Sequence, residues 1–147
     1  MEASRMRFLY AAVAVAFCAF GLPAAAQQTA ATTEEKPYQV ENGRVDRGTY
    51  NGYRRYGNSC ERCHGQDGAG SSFAPNLLES LKHLSHEQFM EVVINGRQNV
   101  TASQQNVMPP FGQVEDVVLY LEDIYAYLKA RSDGAVGRGR PQRIANQ

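Results

Sequence analysis

Wherever the apolar positions of this chain are regular, they follow a helical period. The strongest signal covers residues 115–131, where Val117, Leu121, Ile124 and Leu128 recur at i, i+4, i+7 and i+11. Glu122 and Asp123 lie outside that stripe, as an amphipathic helix requires. Residues 85–95 carry a second helical pattern with Phe89, Val92 and Val93 on its apolar face. Ser85 followed by Gln88 predicts a capping box at its start, and Gly96 predicts its end. A third helix is expected over residues 46–59. No run alternates for long enough to predict a sheet. The expected fold class is therefore all-α.

The rest of the chain divides around that helical domain, assigned to residues 44–131. Arg5 and Arg7 open the sequence, residues 8–22 are apolar, Pro23 breaks the run, and Ala24, Ala25 and Ala26 follow. That order is an export signal with a small-residue cleavage site, so residues 1–26 read as a signal peptide. The run is short of the roughly 20 apolar residues that a membrane span needs. An uncleaved anchor is the alternative. The mature protein is then expected in the periplasm of a bacterium, with no membrane association after cleavage. Residues 27–43 are polar and read as a flexible lead. Residues 132–147, with Gly134, Gly137, Gly139 and Pro141, read as a flexible tail without its own core.

Charge adds little. The chain balances 15 basic against 15 acidic residues, and nothing in it points to nucleic acid. Cysteine usage adds a great deal. Of three cysteines, Cys18 leaves with the signal, so the mature chain keeps only Cys60 and Cys63. These belong to Cys60-Glu61-Arg62-Cys63-His64, which reads C-x-x-C-H.

That order matches the chemistry of covalent haem attachment. Two thiols one helical turn apart add to the two vinyl groups of one porphyrin, and the adjacent histidine supplies an axial nitrogen to the iron. Two other chemistries use a C-x-x-C pair. A redox dithiol belongs at the start of a helix that follows a strand, and no such strand is visible. A zinc site needs further ligands, and only His83 and His86 remain. The expected cofactor is one covalent haem c, with His64 as metal ligand. No structural disulfide is possible once both thiols are consumed.

The segments flanking the motif resemble class I cytochromes c. Gly52 and Tyr56 lie eight and four residues before Cys60, and residues 124–129 are similar to that family's closing helix. The resemblance implies a small helical bundle around one haem, with Gly52 at a close crossing of first and last helices and Tyr127 as the aromatic that meets it. A glycine there removes the side chain that would hold the backbones apart. The expected sixth ligand is Met108, within Asn106-Val107-Met108-Pro109-Pro110-Phe111. Its soft thioether favours reduced iron, and the prolines pre-set an extended loop. His83 and His86 are its rivals, while Met90 falls mid-helix. By resemblance, the Pro75 carbonyl accepts a hydrogen bond from His64; a plain turn is the other reading. Arg97 is the candidate donor to a haem propionate, the alternative being a solvated side chain after a helix end.

Three further segments, residues 51–56, 95–100 and 123–134, resemble the methanol-metabolism-related c-type cytochromes. Some members carry an additional cysteine pair that this chain lacks. The resemblance implies an electron-transfer protein and not an enzyme. It would accept electrons from a quinoprotein alcohol or methanol dehydrogenase containing pyrroloquinoline quinone, and pass them to another cytochrome or a terminal oxidase. Residues 69–74 and 107–112 carry no charge and are expected to form the docking patch, with Phe111 in it. The alternatives are a fixed haem subunit of a larger dehydrogenase, and a haem sensor or enzyme with a labile sixth ligand.

Overall fold

Asp46 starts the first helix, α1 (Arg47–Ser59), in the computed structural model of the chain, which describes residues 35–100 and 105–145. Its carboxylate accepts hydrogen bonds from the Thr49 amide at 2.9 Å, the Thr49 hydroxyl at 2.6 Å and the Gln39 amide at 2.7 Å. Burial opposes ionisation of Asp46, and these bonds outweigh it, so its pKa lies below the ordinary carboxylate value. Helical bonding continues past α1, with the Cys60 amide donating to the Tyr56 carbonyl at 2.8 Å. The short α2 (Glu61–His64) therefore follows directly, and the whole C-x-x-C-H segment is helical or capping.

A 3-10 turn over Gln66–Gly68 and the four-residue α3 (Leu77–Ser80) lead to α4 (His86–Asn95). The expected capping box at Ser85 and Gln88 is formed, with both reciprocal bonds present. The last helical stretch differs from the single helix expected over residues 115–131. It is two helices, α5 (Glu115–Leu119) and α6 (Leu121–Ser132), interrupted at Tyr120. Tyr120 lies beneath the Arg55 guanidinium, 4.1 Å from its ring centroid, and Arg55 also pairs with Asp116. Both helices bury the same stripe, Val117, Leu121, Ile124 and Leu128. A one-residue break between helices sharing an apolar face leaves no mark on the period.

Short strands are present where none was expected. β1 (Val40–Glu41) pairs antiparallel with β2 (Arg44–Val45), and β2 pairs parallel with a final strand. β3 (Arg97–Val100) pairs antiparallel with β4 (Gln105–Met108), setting Arg97 opposite Met108. The final strand, β5 (Gln142–Arg143), closes the three-stranded ladder. Strands of two residues are too short to show alternation, and β3 and β4 are mostly polar. The helices carry the fold, which is that of a small all-α bundle with ladders at its margins.

Two apolar clusters form the interior. The larger holds Tyr56, Phe89, Val93, Val117, Leu121, Ile124, Tyr125, Tyr127 and Leu128 among others. The smaller joins Tyr38, Val45, Ala126, Ala130 and Val136. This second cluster corrects the reading of lead and tail as flexible over their described parts. Tyr38 is buried and donates to Asp133 at 2.8 Å, and burial together with Asp133 pushes its hydroxyl up to about 12. Arg131, itself buried, donates to the Val136 carbonyl at 2.7 Å. Both segments lack a core of their own because they share one with α6. Residues 1–34, which include the expected signal peptide, lie outside the described residues.

The crossing of α1 and α6 positions everything else. A Cβ built on Gly52 would lie 1.8 Å from the Asp123 carbonyl oxygen and 3.0 Å from the Ile124 amide nitrogen. The expected close crossing of the first and last helices at Gly52 is present, with Asp123 and Ile124 as its backbone contact on α6. Tyr127 lies one turn further along, edge-on to Tyr53 at 5.6 Å and tilted against Tyr56 at 5.7 Å between centroids. Asn51 Nδ2 donates to Asp123 at 2.7 Å beside the contact. Gly52→Ala should therefore destabilise the holoprotein by about 1–3 kcal/mol despite the gain in helix propensity. Denaturant unfolding of the two proteins checks this; equal midpoints would contradict backbone contact at Gly52.

Candidate functional site

Cys60 and Cys63 sit one helical turn apart, the first partly buried and the second exposed, with no disulfide between them. Burial pushes the Cys60 thiol up to about 11, with a further rise from neighbouring Cys63. Among the described residues no three His, Cys, Asp or Glu side chains converge to hold a metal ion, so the pair is not part of a preformed zinc cage.

His64 is buried, and its Nδ1 lies 3.1 Å from the Pro75 carbonyl oxygen. A carbonyl only accepts, so Nδ1 carries the ring proton and Nε2 presents a bare lone pair. That tautomer is the one an imidazole needs to bind a metal through Nε2. Pro75, expected at this contact by resemblance, is therefore at hydrogen-bond distance from the histidine.

The loop between His64 and Pro75 is tightly folded. Gly70 N–H donates to the His64 carbonyl at 2.7 Å, and Ser71 Oγ donates to the Cys63 carbonyl at 2.5 Å. At Gly65, φ is +73°, and a Cβ there would lie 2.4 Å from the Gly70 carbonyl oxygen. Tyr56 Oη donates to the Gly65 carbonyl at 2.5 Å, and burial raises the Tyr56 pKa. α1 thus supports the motif twice, through its own continuation and through this side chain.

The segment bearing Met108 is held from the other side. Gly96, at φ +74°, ends α4, and a Cβ there would lie 2.6 Å from the Met108 carbonyl oxygen and 2.8 Å from the Pro110 nitrogen. The last carbonyls of α4 are satisfied by this loop: Phe111 N–H donates to Val93 and Gly112 N–H to Ile94, each at 3.0 Å. Met108 is half-buried and packs on the larger apolar cluster, as Cys60 does. Arg97 is exposed at the opposing position of the β3–β4 ladder.

His86, a rival ligand by sequence, is engaged elsewhere. Its Nε2 is 2.8 Å from Glu122 Oε2 and its ring centroid 4.7 Å from that of Tyr125. His83 is exposed, and Met90 packs within the larger cluster. Phe111, expected in the docking patch, is half-buried against that cluster. Phe73 and Val107 are the exposed apolar side chains of the two uncharged loops, 79 % and 60 % accessible.

Sequence reasoning missed one residue of this region. Asp67 is buried in the glycine loop and accepts from the Gly139 amide. An acidic residue between glycines reads as a solvated turn, and only the folded tail reveals its partner.

The donor set fits covalent haem: two unbridged cysteines one turn apart, an imidazole whose Nδ1 is engaged by Pro75, and a half-buried thioether on the cluster that Cys60 also touches. The comparisons agree. Residues 49–128 match the family described as "Cytochrome C oxidase, cbb3-type, subunit III", a span running from α1 into α6. The chain belongs to the cytochrome c family and carries haem c covalently.

Its relatives are electron-transfer cytochromes. Cytochrome c-553I of Paracoccus denitrificans is 46 % identical over 112 residues, covering 75 % of this chain and 50 % of that protein. The chain thus spans about half the length of that relative. Cytochrome c-555 of Methylococcus capsulatus is 49 % identical over 96 residues, 65 % of this chain and 72 % of that one. Among solved structures, the c-type cytochrome XoxG from Methylobacterium extorquens AM1 superposes with a TM-score of 0.64 at 40 % identity, covering 78 % of this chain and 76 % of that one.

Tyr56→Phe removes the donor to the Gly65 carbonyl while keeping the ring against Tyr127. It should lower stability by about 1 kcal/mol, the scale of one lost hydrogen bond. Denaturant unfolding of the holoprotein checks this, and an unchanged midpoint would show that the bond adds nothing.

Proposed function

We propose that this chain is a periplasmic carrier that takes single electrons from a quinoprotein alcohol or methanol dehydrogenase and delivers them to another cytochrome or a terminal oxidase. Cys60 and Cys63 would hold the haem, His64 Nε2 and Met108 Sδ would supply nitrogen and sulfur to its iron, and Arg97 would donate to its carboxylate edge. The single observation that carries the site assignment is the His64–Pro75 contact, which commits Nδ1 to the carbonyl and leaves Nε2 as the nitrogen available to a metal. Haem c supplies a one-electron couple when bound.

The chain's own part is to fix the donors and limit their movement. Pro75 orients the imidazole and makes it a stronger donor. The bonds from Phe111 and Gly112 to the end of α4 restrain the loop that carries the thioether. A neutral thioether opposite imidazole favours the reduced state and raises the potential. His86 is held by Glu122, which supports Met108 over that rival. Export follows from the signal pattern of residues 1–26. Among the described residues no helix is long and apolar enough to cross a membrane. The choice of donor rests on the resemblance of residues 51–56, 95–100 and 123–134 to methanol-metabolism cytochromes.

Two experiments test this reading. The oxidised protein should show the weak near-infrared band of a methionine–iron bond, abolished by Met108→Ala and kept in Met90→Leu. Survival of the band in Met108→Ala would overturn the ligand. In stopped-flow mixing, a reduced quinoprotein alcohol dehydrogenase should reduce the wild type rapidly. Val107→Glu should slow that step by placing a charge in a contact of the small kind redox partners use. Equal rates would remove this surface, and no reduction of the wild type would remove the donor class.

A further inference from the structure

The electron-carrier reading leaves a buried carboxylate unused. Asp67 is 3 % exposed and lies in the left-handed region at φ +60°, inside the loop that follows His64. A buried carboxylate is costly unless its oxygens are satisfied. Here they are satisfied from outside the loop. The Gly139 amide donates to both oxygens at 3.1 Å, and the Tyr127 hydroxyl donates to Oδ1 at 3.3 Å. Arg138 Nε lies 3.6 Å from Oδ2, with its side chain largely in solvent. Gly139 is 72 residues away along the chain, and its segment is fastened in turn by buried Val136 and by the β2–β5 pairing.

On its other side the loop bears on the histidine's support. Gly70 approaches the Pro75–Asn76 peptide so closely that a Cβ on it would lie 2.7 Å from the Asn76 nitrogen and 3.1 Å from the Pro75 carbonyl carbon. The Pro75 oxygen accepts from His64 Nδ1. One continuous set of contacts therefore runs from the C-terminal segment through Asp67 and Gly70 to the His64 ring.

We propose that Asp67 is a positioning residue for His64: it ties the loop at residues 65–70 to Tyr127 and the C-terminal segment, and its charge, partly compensated by Arg138, sets the reduction potential from the histidine side. This rests on the reading of His64 as an axial ligand. A negative charge held in a low-dielectric interior favours the more positive, oxidised iron and lowers the potential. Arg138 opposes that field, more weakly because its side chain is in water. Removing the two charges therefore moves the potential in opposite directions. A residue that only braced the fold would not give that pattern.

The test is a spectroelectrochemical titration of the holoprotein at one pH and low ionic strength, for wild type, Asp67→Asn and Arg138→Gln. Asp67→Asn keeps an acceptor oxygen and should raise the potential. Arg138→Gln, at an exposed side chain the fold does not need, should lower it by less, and added salt should shrink that second shift. Any other pattern of signs, including no shift in either variant, overturns the proposal. A chain ending after Gly137 loses Arg138 and the Gly139 amide together, and its His64 Nδ1–H should exchange with solvent faster than in wild type. Unchanged exchange overturns the link from C-terminal segment to histidine. A wild type lacking a low-spin, imidazole-ligated spectrum is a separate outcome, and it overturns the ligand reading instead.

Discussion

The contact between the backbones of α1 and α6 at Gly52 is the constraint on which the rest of this structure depends. The helices meet where a side chain cannot fit, since even a Cβ would overlap the Asp123 carbonyl. That approach brings Tyr53 and Tyr56 of α1 against Tyr127 of α6. Tyr56 then reaches the Gly65 carbonyl, and the end of α1 places Cys60. The position of the attachment motif is a consequence of where two helices touch. A bulkier residue at Gly52 would displace the aromatic contacts and the loop after His64 together.

The methionine side uses the same closing helix by another route. Tyr125 of α6 meets both His86 and Phe89 of α4, with ring centroids 4.7 and 5.2 Å apart. The far end of α4 holds the loop that carries Met108 through two backbone hydrogen bonds and the close approach at Gly96. α6 is buried along most of its length because it supports the histidine side through α1 and the methionine side through α4. A rigid scaffold of this kind suits a protein whose task is to change charge without changing shape.

Much of this was legible in the sequence, for local reasons. The helix over 85–95 has its own cap and stop, and the stripe from Val117 to Leu128 has a period of its own. The C-x-x-C-H motif is a chemical instruction within five residues. Less legible was whatever needed a distant partner. Tyr120, at the break, has its ring against Arg55 of α1, a partner far away in sequence. Tyr38 and Val136 look like parts of polar ends until Ala126 and Ala130 supply the surface that buries them. Phe111 reads as an exposed loop aromatic because nothing in its neighbourhood announces that α4 will hold its amide. Asp67 reads as a turn residue because its partners come from the far end of the chain.

The proposed ligation has His64 and Met108 both supplying the iron of one haem. A proton spectrum of the fully reduced, diamagnetic holoprotein tests it most directly, because a methyl group bound over the porphyrin face lies in the ring current. The account predicts one three-proton signal far upfield of the ordinary methyl envelope, assigned by selective labelling and substitution to Met108. A spectrum with no such signal, or one whose upfield methyl belongs to Met90, would contradict it.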